Sequence, residues 1–283
     1  MMNLGLMDPA FLGSLSQLWT PAQISTALWL DAADSSTVVL SGSKVTQWND
    51  KSGNGNHVSN ATTSTQPIYS ATGFNSKPCV QFTATGEEFL FNGAMTGFAA
   101  NNDFFLVAVF EALQENRDWE MICGWRSVAN SATLSSTDNG VPVLQFPAQA
   151  AQIGIHNTSI ADTRIVVNIS TRVAKRIASV GRTGGTNGNG GSVTVSVTEP
   201  SQANYITTAT QTWTSGSTSG FQIGGKQQEA TFYGSKNIAE IIGCPSNVSN
   251  TTFQQLKGYL AHRWGLTANL PSDHPYKVSP PYV

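Results

Sequence analysis

Apolar and polar positions alternate along most of this chain in short runs, each bounded by glycine, asparagine or serine. A period of two marks a strand with one face buried. On that pattern strands are predicted at residues 27–31, 44–49, 78–84, 103–111, 120–125, 141–146, 164–170, 173–180, 192–198, 220–224 and 237–242. Turn-forming clusters such as SGNGN at 52–56 and GGTNGNGG at 184–191 separate them. No regular alternation of strands with long helices occurs, which argues against a parallel α/β sheet. The expected class is all-β, an antiparallel sandwich of two sheets.

Two segments break the rhythm. In SNTTFQQLKGYLAHRWGL, residues 249–266, Phe253, Leu256, Leu260 and Trp264 recur at helical spacing. Thr251 and Gln254 fit a capping box, and Gly265 can end the helix. The proline-rich tail at 270–282 does not continue it. At the other end, Asp8 and Pro9 can open a short helix whose Phe11, Leu12, Leu15, Leu18 and Trp19 form an apolar stripe. The chain therefore divides into a hydrophobic N-terminal arm, residues 1–19, and one domain, residues 20–283. So apolar an arm has to be covered, either by its own domain or by another chain; docking of Phe11, Leu12, Leu15 and Leu18 into a partner is the expectation.

Composition narrows the function. Only 11% of the 283 residues are charged, and the net charge is −2; an average soluble domain has about 25%. Such a chain cannot neutralise a run of phosphates, so nucleic acid is not an expected partner. No stretch approaches the roughly 18 apolar residues of a membrane span. Forty per cent hydrophobic residues, with 7 Trp and 13 Phe, argue against disorder. The three cysteines, Cys79, Cys123 and Cys244, lie far apart in apolar contexts and read as buried small hydrophobes. The N-terminal segment lacks the basic start of a secretion signal, which with the absence of disulfides suggests assembly in a cytoplasm.

Candidate chemistry is sparse. In NRDWE, Asn116, Asp118 and Glu120 would share one strand face and resemble the E-x-D-x-E pattern of β-glucanases. An asparagine stands at the first position, however, and cannot act as nucleophile or as the second carboxylate. Glu87 and Glu88 are adjacent and point to opposite faces of any strand. No histidines pair at ligand spacing and no nucleophile elbow exists, so no catalytic residues are assigned and the expectation is a non-enzymatic protein. Arg172, Lys175, Arg176 and Arg182 read as a solvated strand face. In WNDKSGNGNH, residues 48–57, the oxygens of Asp50, Ser52 and Asn54 alternate as in the first half of a calcium loop. Position 61 is alanine, so the bidentate glutamate is missing, and an Asx-type turn competes with Ca2+ as the reading. Trp119 and Trp213, flanked by polar turn residues, are the candidate platforms for stacking sugars.

The segments at 28–58, 66–90 and 232–276 carry a resemblance. W-L-D-A-x-D, W-x-D-x-S-G-N-G-N, I-A-E-I-I and G-Y-L-A-H-x-W-G-L are similar to motifs of the laminin-G-like, concanavalin A-like jelly-roll domains of bacteriophage virion proteins and bacterial surface proteins. The resemblance implies a jelly roll with Leu30, Ile238 and Ile241 in strand cores and the last helix packed over one edge. It implies that Asp31, Asp34, Asp50 and Asn54 organise loops at one end. It further implies a virion surface protein, assembled in the host cytoplasm, that meets other virion proteins and host surface glycans; the apolar arm and strand-rich body fit a homo-oligomer, a trimer among them, and nothing in the residues fixes the number. A purely architectural decoration or fibre protein and a polysaccharide-cleaving enzyme are the alternatives, because one fold hosts many functions.

Overall fold

The computed structural model describes residues 16–114, 120–126, 142–146, 151–157, 164–186, 190–200, 204–211, 220–225 and 234–283. Within them the chain forms β1 (Leu28–Asp31), β2 (Val38–Ser41), β3 (Lys44–Trp48), β4 (Val58–Ser59), β5 (Ile68–Phe74) and β6 (Lys77–Phe82). There follow β7 (Leu90–Asn92), β8 (Phe104–Ala112), β9 (Glu120–Arg126), β10 (Pro142–Phe146), β11 (Gln152–Asn157) and β12 (Arg164–Asn168). The last strands are β13 (Lys175–Thr183), β14 (Ser192–Thr198), β15 (Asn204–Thr210), β16 (Gly220–Ile223) and β17 (Lys236–Cys244), before the helix α1 (Asn250–Trp264). Every strand pairing is antiparallel.

Two runs of strands can be traced. One passes β15–β14–β13–β8–β17 and then divides, with β6 and β5 on one half of β17 and β1 on the other. The second passes β12–β11–β10–β9–β16–β7–β4–β3–β2. A single pair, Lys44 with Ile68, joins them at β3 and β5. The runs face each other: Phe104 of β8 lies 4.6 Å from Trp125 of β9, and Phe110 of β8 lies 6.0 Å from Phe146 of β10, between ring centroids. This is the sandwich expected from the period-two pattern, with Leu30, Ile238 and Ile241 fully buried.

All nine residues of β17 are buried, so both of its faces are covered. The opposite sheet supplies one cover and α1 the other, since Tyr259 and Trp264 of the helix bond to Glu240 on β17. Ser249, rather than Thr251, caps the helix: its hydroxyl accepts from the Thr252 N–H at 3.1 Å. Gly265 ends it in the left-handed region at φ 68°, as its position suggested. Leu256, Leu260 and Trp264 are buried, and Phe253 packs partly buried against Phe105.

Predicted and observed strands overlap at each of the eleven places. Period two did not reveal β2, β4, β5, β7, β11 or β15. In β5 the burial is weak until Phe74, and β4 and β7 span only two and three residues, too short for alternation to register. The basic cluster is a correction. Arg172, Arg176 and Arg182 are buried, not solvated. Arg172 pairs with Glu120 at 3.4 Å and Arg176 with Glu199 at 3.1 Å. Arg182 donates to the carbonyls of Asn101 and Asn102 and closes the base of the β13–β14 hairpin by donating to Gly190 O. The planar guanidinium fork can reach several fixed acceptors at once from a buried position, and within this cluster only Lys175 keeps substantial exposure.

Candidate functional site

The segments 28–58 and 232–276, quoted above for their motifs, meet in space. Asp31 of β1 stands directly opposite Glu240 of β17 in the ladder. Between them comes Arg263 of α1, with Nη2 at 2.5 Å from Asp31 Oδ2 and Nε at 3.5 Å from Glu240 Oε2. Lys51, from the loop after β3, joins Asp31 at 3.0 Å and Asp34 at 2.8 Å and lies 4.6 Å over the Trp29 ring. Glu240 Oε1 accepts from Trp29 Nε1 at 2.8 Å and from the Tyr259 hydroxyl at 3.1 Å, and Oε2 accepts from Trp264 Nε1 at 2.5 Å. Burial first, and the Asp31 charge second, push the Glu240 carboxyl up to about 7. The hydrogen bond from Lys51 holds Asp34 below its ordinary value.

Two carboxyls with unlike environments are the raw material of glycoside chemistry. Here they do something else. Asp31 is 0% and Glu240 1% exposed, and their oxygens are taken up by indole, hydroxyl, guanidinium, ammonium and backbone donors. The network fastens α1 and the 50s loop to the edge of the sheet. Nothing in the sequence reading linked Glu240 to Asp31; a glutamate inside the apolar run IAEIIG was the signal available.

The 50s loop is a tightly bonded turn. Asp50 Oδ1 accepts from the N–H groups of Trp29 and Ser52, at 2.8 and 2.9 Å, and Oδ2 from the Ser52 hydroxyl and the Asn56 N–H, at 2.6 and 3.0 Å. Positive φ at Gly53 and Gly55 lets the backbone fold around that carboxylate. Asn54 turns its amide to Thr26 O and the Ser52 hydroxyl. Asp50, Ser52 and Asn54 are thus brought together as a calcium loop would need. Hydrogen donors surround the Asp50 carboxylate, and a cation there would have to displace them.

Trp119, Trp213, Phe11, Leu12 and Leu15 lie outside the described residues. Leu18 is 52% exposed and bridges to Tyr282. Of NRDWE only Glu120 is described; it is fully buried at the start of β9 and also sits 3.5 Å from Lys236. The three cysteines are buried and unpaired, and burial raises all three thiols, Cys79 and Cys244 to about 12.

A groove that sequence reasoning missed is a candidate ligand site of a different kind. It measures about 470 Å³ and lies between the β2–β3 hairpin and residues 59–66. Val39, Ser41, Thr46, Gln47, Ser59, Asn60, Ala61, Thr63 and Gln66 line it, and none is charged. Its walls are braced from behind. Asn60 donates to Thr65 O and Phe89 O and accepts from the Thr62 N–H, and Gln66 Nε2 donates to Asn60 O at 2.7 Å. Gln47 Nε2 donates to Asn49 Oδ1 and the Thr46 hydroxyl to Val39 O. Ser41, Ser59 and Thr63 stand exposed along it. A rigid concave surface of hydroxyls and amides offers donors and acceptors together, without a charge to repel or select an ion.

No family model matches the chain, and no curated protein matches it in sequence. Solved structures do match in fold. A mutant of a GH54 α-L-arabinofuranosidase soaked with 4-nitrophenyl α-L-arabinofuranoside superposes with a TM-score of 0.57 at 13% identity, covering 90% of this chain and 61% of that one. An arabinofuranosidase complexed with arabinofuranosyl-α-1,2-xylobiose gives 0.53 at 14%, covering 90% and 62%. The binding domain of Paraclostridial Mosquitocidal Protein 1 gives 0.51 at 10%, covering 82% and 51%. The present chain spans about three fifths of the two arabinofuranosidase chains. At these identities the likeness establishes the β-sandwich. It also overturns the expectation of a non-enzymatic protein, because that expectation took the missing sequence motifs as decisive and nearly the whole chain follows a fold found in glycan-cleaving enzymes.

Proposed function

We propose that this protein is a carbohydrate-directed β-sandwich that holds neutral polysaccharide in the groove between β2–β3 and residues 59–66. The carrying observation is the groove's lining: seven hydroxyl- or amide-bearing side chains and no charged one. Sugars offer vicinal hydroxyls that donate and accept, and such a surface can match them without desolvating an ion. Affinity electrophoresis through gels cast with arabinan, arabinoxylan or dextran tests the reading. At least one neutral polysaccharide retards the protein, and Ser59→Trp, which fills the groove from an exposed position, restores free mobility. No retardation in any gel, or equal retardation of the variant, overturns it.

A second reading, cleavage of the bound glycan, is favoured by the fold likeness to arabinofuranosidases. No carboxylate lines the groove, so the acid and base of such a reaction would come from outside its walls. Incubation with arabinan and arabinoxylan, followed by chromatography of released sugars, is the assay.

The resemblance to virion jelly rolls supports a setting on a bacteriophage particle, as a laminin-G-like protein attached through its arm. Exposure of Leu18, the last residue of the apolar stripe before Trp19, supports attachment there. Deleting residues 1–18 then abolishes incorporation into particles while the domain stays folded; normal incorporation contradicts it.

A further inference from the structure

A second cavity, of about 500 Å³, opens beside the Asp31–Glu240–Arg263 network. The 18–20 segment, the start of β6, the second half of α1, Ala33 and Pro280 surround it. Its walls are apolar: Leu18, Trp19, Ala33, Pro78 and Pro280. Its polar side chains are Lys77, Arg263, His262, Tyr259 and Thr20, so three are basic and none is a carboxylate. In a chain with so few charges, that grouping stands out.

Arg263 is held for presentation. Asp31 grips one terminal nitrogen, Nη2, and Glu240 flanks Nε, while the side chain remains 32% exposed toward the cavity. The other terminal nitrogen, Nη1, makes no hydrogen bond among the described residues. The fork is therefore immobilised with donors to spare, the state in which guanidinium recognises a planar anion. Asp31 is shared with Lys51, which offsets its negative charge from behind. Lys77 is exposed at the tip of the β5–β6 hairpin. That tip is fixed to the end of the helix by an Asn75 side-chain bond to Trp264 O at 2.8 Å, and Lys77 and Arg263 both line the cavity.

We infer that this cavity binds a small carboxylate with an apolar face, the carboxylate lying between Arg263 and Lys77 and the apolar face against Trp19, Pro78 and Pro280. The inference is independent of the neutral groove. The chemistry fits two sources, a free aromatic or aliphatic acid and a uronic acid carried on a glycan.

Titration calorimetry with benzoate, methyl glucuronide and neutral methyl glucoside, on the full chain at low salt, tests it. One or both acids bind while methyl glucoside does not. Benzoate alone points to the free acid, and methyl glucuronide to the glycan-borne one. Lys77→Glu, at an exposed position, weakens acid binding about tenfold or more, Lys77→Arg retains it, and Ser59→Trp in the groove leaves it unchanged. Failure of both acids to bind overturns the inference, as does binding of methyl glucoside as tight as that of the acids in the Ser59→Trp variant, whose groove is filled, or indifference to Lys77→Glu. None of those results bears on the groove.

Discussion

Glu240 takes in hydrogen bonds from two indoles and a phenol while lying beside the Asp31 carboxylate. The cost of burying that charge appears as a carboxyl raised to about 7 from 4.5. Between those values the folded protein holds a proton that the unfolded chain has released, so stability falls as pH rises from about 4.5 to about 7. The slope integrates to the order of 3 kcal/mol. Urea unfolding measured from pH 4 to 8 checks it: Glu240→Gln flattens this window, whereas an unchanged pH profile in the variant contradicts the assignment. Asp50 has a different part. Its carboxylate satisfies the backbone N–H groups of Trp29, Ser52 and Asn56, and Asp50→Ala strands them, at a cost of about 2–3 kcal/mol in a urea midpoint experiment. That Asp50 would organise its loop was legible from W-N-D-K-S-G-N-G-N, because Asx turns are local. Glu240's partners lie up to 211 residues away, and local spacing carries no trace of them.

At the scale of elements, the helix was the most legible part of the chain. Its periodicity and its Gly265 terminus are local features, and the structure differs only in placing the cap at Ser249. Gly265→Ala puts a side chain at φ 68° and costs about 1 kcal/mol. Ser249→Ala costs a similar amount, about 1 kcal/mol, by freeing the Thr252 N–H. Both are read from thermal unfolding of the single variants, and an effect near zero for either removes the cap assigned to it. Of the strands that escaped notice, β4 and β7 are very short and β2, β5 and β15 are largely uncovered, whereas β11 lies between β10 and β12 with Ile153 and Ile155 buried. The arginines of β13 and the turn before it show the same limit. Whether Arg176 meets water or Glu199 is decided by how β13, β14 and the following turn come together. Arg176→Ala removes the guanidinium that Glu199 meets at 3.1 Å and leaves that buried carboxylate without this countercharge, and a loss of about 3 kcal/mol is expected from equilibrium unfolding.

For the whole molecule, low charge takes on a location. Serine, threonine, asparagine and glutamine wall an uncharged groove, while Arg172–Glu120, Arg176–Glu199 and Arg263–Asp31 place charge in pairs that tie the sandwich together. Sandwich architecture followed from alternation and turn residues. The groove did not, because residues 39–47 and 59–66 meet only after the β2–β3 hairpin and the β3–β4 pairing form. The most direct test of neutral-glycan binding is amide chemical-shift mapping during titration with arabinoxylan-derived oligosaccharides. The account predicts perturbations clustered at residues 39–47 and 59–66, with little change at Lys77 or Arg263. Perturbations confined to another face of the sandwich, or none at saturating oligosaccharide, would contradict it.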